Sequence, residues 1–88
     1  MDIEGTIKNV LIDELFVDVR PEEIGLDDGL RATVGLDSLG FTELRVECEN
    51  RFGVTISDED FVPENFTSIR SLSELIRRLR KESATSDA

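Results

Sequence analysis

The stretch GLDSLGFTELRVECENRFG, residues 35–53, decides how the chain is read. Asp37 offers an N-cap carboxylate, Gly53 supplies a C-terminal stop, and no proline lies between them. At about 100° per residue, Phe41, Leu44, Cys48 and Phe52 gather on one face, which is the core face of a helix. Leu39 and Val46 fall on the opposite side with Thr42, Glu43 and Asn50. Apolar residues in that position are either the scattered exposed ones that most proteins carry or part of a contact surface.

Outward toward the N-terminus, Ile3, Ile7, Val10, Leu11 and Leu15 recur at spacings of three and four. They predict a first helix over residues 2–17, with Asp2 and Glu4 near the positive end of its dipole and Pro21 confirming its end. Residues 18–36 form a long connection punctuated by Gly25, Gly29 and Gly35. Its recurring Ile24, Leu26, Leu30, Val34 and Leu36 imply a loop packed across the helices, with room for a short helical turn. Toward the C-terminus, Ser57 with Asp58, Glu59 and Asp60 reads as the cap and acidic first turn of a short helix limited by Pro63. A last helix carries Ile69, Leu72, Leu75, Ile76 and Leu79 on one face. It begins near Ile69 or at Ser71, which makes a capping box with Glu74. Arg77, Arg78, Arg80 and Lys81 suit its C-terminal dipole. The expected fold is all-α: a four-helix bundle of three longer helices and one short helix, with a long loop between helices one and two. The domain is expected over residues 1–82, and 83–88 as a disordered polar tail.

The chain has 88 residues, room for one small domain. Ten Lys and Arg face twenty Asp and Glu, for a formal charge of -10. That balance argues against nucleic acid and anionic membrane surfaces, and toward partners with basic docking patches. No His is present, which removes the commonest general base and metal ligand. The single Cys excludes an internal disulfide and a Cys-based zinc site. With neither a spanning apolar run nor a signal-peptide pattern, the expectation is a cytoplasmic monomer. The Asp27-Asp28-Gly29 run lacks EF-hand spacing and reads as a solvated turn. Cys48, between Leu44 and Phe52, reads as a small buried hydrophobe rather than a reactive thiol.

Asp37 and Ser38 have two readings. In one they only cap the helix. In the other, Ser38 is modified by a separate enzyme, because a phosphate ester there would meet backbone N–H groups and the positive end of the dipole. With no His in the chain, a hydrolytic triad in its usual form is ruled out.

Asp37-Ser38-Leu39, Glu43-Leu44, Glu49, Phe52, Ile56 and Asp58-Glu59 together resemble the acyl carrier protein pattern, over residues 2–82. The resemblance implies that a phosphopantetheinyl transferase links 4′-phosphopantetheine from coenzyme A to Ser38, and that the terminal thiol of the arm holds acyl or aminoacyl groups as thioesters. Asp37 and Leu39 would complete the motif, Asp37 as helix cap. Leu39, Thr42, Glu43, Val46, Glu47 and Glu49 would meet partners: an acyltransferase or acyl- or aminoacyl-loading ligase, and a ketosynthase or other chain-processing enzyme. No catalytic residue is implied, and no enzyme activity.

Two departures bear on the pathway. Gly40 stands where the family often has Asp or Ala, and Arg45 and Arg51 make residues 37–52 less acidic than in a fatty-acid synthesis carrier. The stretch Glu64 to Ile69 looks more like carriers of polyketide or other specialised metabolism. A peptidyl or D-alanyl carrier is the alternative, although a Gly-Gly pair before the serine, usual in peptidyl carriers, is replaced by Gly35-Leu36-Asp37. A different class is a helical adaptor without an arm.

Overall fold

The computed structural model describes residues 3–86, and among these the regular structure is entirely helical. Helix α1 spans Ile3–Asn9 and continues as a π-helical turn over Val10–Glu14. Ile3, Ile7, Val10 and Leu11 are buried, as the periodicity requires. The helix is shorter than the expected 2–17, and Asp2 lies outside the described residues. The α pattern widens at Val10, where the Leu15 N–H donates to the Val10 carbonyl at 3.1 Å and the Val17 N–H to Leu11 at 3.1 Å. It ends because Phe16 takes a left-handed backbone, φ 53°, which no helix can continue through.

The connection to the next helix contains one 3-10 turn, Pro21–Glu23. Its shape comes from side chains sunk into the core: Ile24, Leu30, Val34 and Leu36 are all buried. Two backbone bonds then fasten it to the start of the last helix. The Leu30 N–H donates to the Thr67 carbonyl, and the Arg70 N–H to Leu26, both at 2.9 Å. Asp28 is used locally, its carboxylate accepting from the Gly25 N–H at 2.8 Å. Among the described residues no cluster of three or more metal-ligating side chains forms, there or elsewhere.

Helix α2 spans Ser38–Phe52 and closes on Gly53, whose φ of 65° and N–H bond to the Glu49 carbonyl make a left-handed C-cap. Helix α3 spans Ile69–Ser86. Its cap is Ser68, not Ser71. Each of these serines accepts from the other's backbone N–H, Ser71 N–H to Ser68 Oγ at 3.2 Å and Ser68 N–H to Ser71 Oγ at 3.0 Å. The helix passes the 82/83 boundary and includes residues 83–86, while Asp87 and Ala88 lie outside the described residues.

The short helix expected after Ser57 is not formed. Phe61 N–H does reach back to the Ser57 carbonyl at 3.0 Å, but the next bonds are those of a second turn, Asn65 to Val62 and Phe66 to Pro63. Pro63 has no N–H to give and disfavours helical backbone at Val62, so the ladder cannot propagate. Among the described residues the architecture is therefore three α-helices with two long, well-packed connections. Their shared core includes Ile7, Leu11, Leu30, Leu44, Ile56, Leu72 and Ile76, all withdrawn from solvent. None of the helices among the described residues is long and apolar enough to cross a membrane.

Candidate functional site

The site is built at the N-terminus of α2. Gly35, with φ 91°, turns the chain so that Leu36 packs inward while Asp37 faces out. Asp37 is extended, φ −99° and ψ −175°, and its Oδ1 accepts from the Gly40 N–H at 2.8 Å. Its own carbonyl accepts from the Phe41 N–H at 3.0 Å. This is N-cap geometry, and it leaves Ser38 as the first helical residue, exposed to solvent. Thr42 Oγ1 donates to the Ser38 carbonyl at 3.1 Å, one turn on. At Gly40 a side chain would be a close fit. A Cβ on it would stand 3.1 Å from Leu36 Cδ2 and 3.3 Å from Asp37 Oδ1, so both side chains would have to give by a few tenths of an ångström.

The face leading away from Ser38 is apolar and open, with Leu39 67% and Val46 47% exposed. Thr42 and Glu43 are exposed on the same side. Glu47 and Glu49 are placed differently. Glu47 is half-buried and pairs with Arg51 at 3.6 Å, and Arg51 also reaches Glu14 at 2.9 Å. Glu49 Oε2 accepts from the Ile56 N–H at 2.8 Å. Arg45 Nε donates to the carbonyl of the same Ile56 at 3.0 Å. One turn apart on α2, Arg45 and Glu49 thus hold both backbone groups of a buried loop residue. The Arg45 guanidinium also pairs with Asp58 at 3.1 Å and lies 4.8 Å from the Phe61 ring centre. Both bases of α2 are therefore balanced within the fold.

Two openings adjoin the first turns of α2, one at Phe41 and the other at Asp37, Leu39 and Gly40. One, of about 450 Å³, is largely apolar and is lined by Phe41, Phe61, Val62, Pro63 and Phe66, with Arg31 at 5.9 Å over the Phe41 ring. The other, of about 500 Å³, runs between the end of the first helix and the start of α2, past Phe16, Asp37, Leu39, Gly40 and Glu43. Sequence reasoning missed Phe16 and the Arg45 clamp. A signal for Phe16 exists, since it falls off the stripe set by Leu11 and Leu15; Arg45 gives none, because its partner is a backbone carbonyl.

Cys48 is fully buried, and burial first, then the neighbouring Glu47 and Glu49, push its thiol up to about 12. It is inert packing. Ser38 presents its hydroxyl to solvent at a helix N-terminus, where a phosphate ester is well accommodated, whereas the exposed Thr42 hydroxyl is engaged with the Ser38 carbonyl.

An all-helical domain with an exposed serine opening its central helix and an apolar, partly acidic face beside it has the architecture of a small helical carrier domain. The family described as "Phosphopantetheine attachment site" matches residues 6–79. The chain belongs to the acyl carrier protein family, the carriers whose prosthetic group is phosphopantetheine. It is 41% identical over 63 residues to an acyl carrier protein of Solidesulfovibrio magneticus, covering 68% of this chain and 74% of that one. It is 36% identical over 72 residues to a D-alanyl carrier protein of Streptococcus suis, covering 82% and 87%. An acyl carrier protein of Chlamydia trachomatis is 27% identical over 81 residues, 92% of this chain and 96% of that one.

Proposed function

We propose that Ser38 carries 4′-phosphopantetheine and that the protein presents acyl intermediates to the enzymes of polyketide or related specialised metabolism. The observation that carries this reading is the exposure of Ser38 as the first residue of α2, with Asp37 fixing the turn that presents it. When bound, the group supplies a flexible arm ending in a thiol that holds the acyl or aminoacyl group as a thioester. Asp37 ties down Gly40 and thereby holds Ser38 at the helix mouth, where the first N–H groups and the dipole favour a phosphate. Leu39, Thr42, Glu43 and Val46 form the face that partners cover, and Glu47 and Glu49 add charge to its field while their carboxylates are engaged in the fold. Without a His, the chain leaves acid–base chemistry to its partners and is not itself an enzyme. Those partners are a phosphopantetheinyl transferase, an acyltransferase or loading ligase, and a ketosynthase or other processing enzyme with a basic docking patch.

The apolar lining of the 450 Å³ opening at Phe41, one turn from Ser38, favours acyl cargo, and the modest acidity of α2 favours a pathway other than fatty-acid synthesis. A D-alanyl carrier is the second reading, favoured by the likeness to the Streptococcus suis protein. Intact mass after incubation with coenzyme A and a broad-specificity phosphopantetheinyl transferase tests the assignment. Wild-type protein gains one phosphopantetheine and Ser38→Ala gains none. No gain in wild type, or an equal gain in the variant, overturns it and leaves a helical adaptor without an arm. Subsequent loading by an acyltransferase supplied with a dicarboxylic extender, and not by a D-alanine ligase, separates the two cargo readings.

A further inference from the structure

Phe16 is 80% exposed and has a left-handed backbone, φ 53°, at the residue following the C-cap of the first helix. Glycine adopts that conformation freely, whereas a side chain strains it, and an exposed aromatic ring gains nothing from burial. Two unfavourable features thus coincide at one residue, and Phe16 lines the groove of about 500 Å³ together with Asp37 and Leu39, the two neighbours of Ser38. The carboxylates of Asp18, Asp37 and Glu43 also border this groove, and no Lys or Arg does.

We propose that Phe16 and Leu39 form a paired apolar anchor for the phosphopantetheinyl transferase that modifies this chain. The proposal rests on the reading of Ser38 as the attachment residue. In that transfer a bond forms between Ser38 Oγ and the phosphorus next to the pantetheine, the pyrophosphate P–O bond of coenzyme A breaks, and adenosine bisphosphate leaves. The serine proton passes to a base of the transferase, this chain having no His. An enzyme that holds a polyanion such as coenzyme A presents a cationic mouth, which complements the Asp18, Asp37 and Glu43 rim. To reach Ser38 that mouth must cover the groove, because the residues on both sides of Ser38 line it. An aromatic ring and a leucine side chain facing one groove match the usual anatomy of an interface: apolar anchors inside a charged rim.

The test is the kinetics of modification, read by intact mass at saturating coenzyme A, for wild type, Phe16→Gly, Phe16→Asn and Ser38→Ala. Glycine and asparagine both tolerate the left-handed backbone, so circular dichroism stays that of wild type, and asparagine decides should glycine loosen the turn. Loss of the ring raises KM for the carrier about tenfold with kcat little changed. Added salt weakens wild type and variant alike, and the ratio between them persists because the lost contact is apolar. Wild-type kcat/KM in a folded Phe16 variant, while wild type itself is converted, overturns the proposal. Failure of wild type to gain mass, or a gain by Ser38→Ala, instead overturns the attachment reading beneath it.

Discussion

Ser38 and Cys48 sit on one helix, and their surroundings assign them opposite fates. Ser38 opens α2 in solvent; Cys48 lies among core side chains with its thiol pushed up to about 12. At pH 8 only about one Cys48 in ten thousand is then a thiolate, the reactive form. Native unmodified protein should therefore show no thiol titratable by an aromatic disulfide over minutes, whereas unfolding in guanidinium should expose one. After phosphopantetheinylation a single fast-reacting thiol should appear without unfolding. Rapid reaction of the native, unmodified chain would show that Cys48 is accessible rather than buried. At this scale much was legible in the sequence. The Asp37 cap, the Gly53 stop and the buried Cys48 depend on a residue's type and its neighbours within one turn. Phe16 was not so legible, because its left-handed backbone depends on how the preceding π turn closes.

At the scale of elements, a cap signal starts a helix only if the residues downstream of it can extend the ladder. Ser57 does accept from the Asp60 N–H, at 3.3 Å, yet Pro63 stops the ladder after one turn. Conversely, Ser68 and Ser71 cap α3 reciprocally without an acidic residue, a pattern hidden by the more familiar pairing of Ser71 with Glu74. The segment after α2 is held instead by Arg45 and Glu49, acting on the two backbone groups of Ile56. Arg45→Ala leaves the carbonyl of a buried residue without its charged donor and removes the contact with Phe61. It should cost about 2 kcal/mol, or roughly 10 °C in Tm for a domain of this size. Glu43→Gln, at an exposed position on the same helix, should leave Tm nearly unchanged. Denaturant and thermal unfolding of both variants check this, and equal stability of the two would show that the clamp does not hold the fold together.

Over the whole molecule, the charge of -10 is redistributed by folding. Three arginines of α3 pair with distant acids: Arg70 with Asp27 at 2.7 Å, Arg77 with Glu4 at 2.8 Å and Arg78 with Asp60 at 3.0 Å. The basic C-terminal segment is thus partly neutralised by the N-terminal helix and the loops, and the acids bordering the Ser38 groove have no Lys or Arg among the groove's other residues. The same pairing makes acid stability a global property. The hydrogen bond from Arg77 is the largest influence holding Glu4 below its ordinary 4.5, and that from Arg70 does likewise for Asp27. A carboxylate whose folded pKa is depressed contributes stability that is present above the unfolded value and lost as pH falls through the folded one. Tm should therefore hold from pH 7 to about 5 and fall below about 4.5, and Arg77→Gln should flatten that fall while lowering Tm at neutral pH. A Tm profile for Arg77→Gln parallel to that of wild type would show that the pair does not carry the acid dependence.

By itself the sequence determined the helical class, the position and cap of α2, the face it buries and the serine it presents, because those depend on periodicity and on contacts within a turn or two. Tertiary structure alone decided the course of the long loop, the pairing of the α3 arginines with Glu4 and Asp27, and the groove joining Phe16 to Leu39. Each of these rests on groups far apart in the chain, whose meeting depends on how the common core of α1, α2 and α3 closes around Leu30 and Ile56.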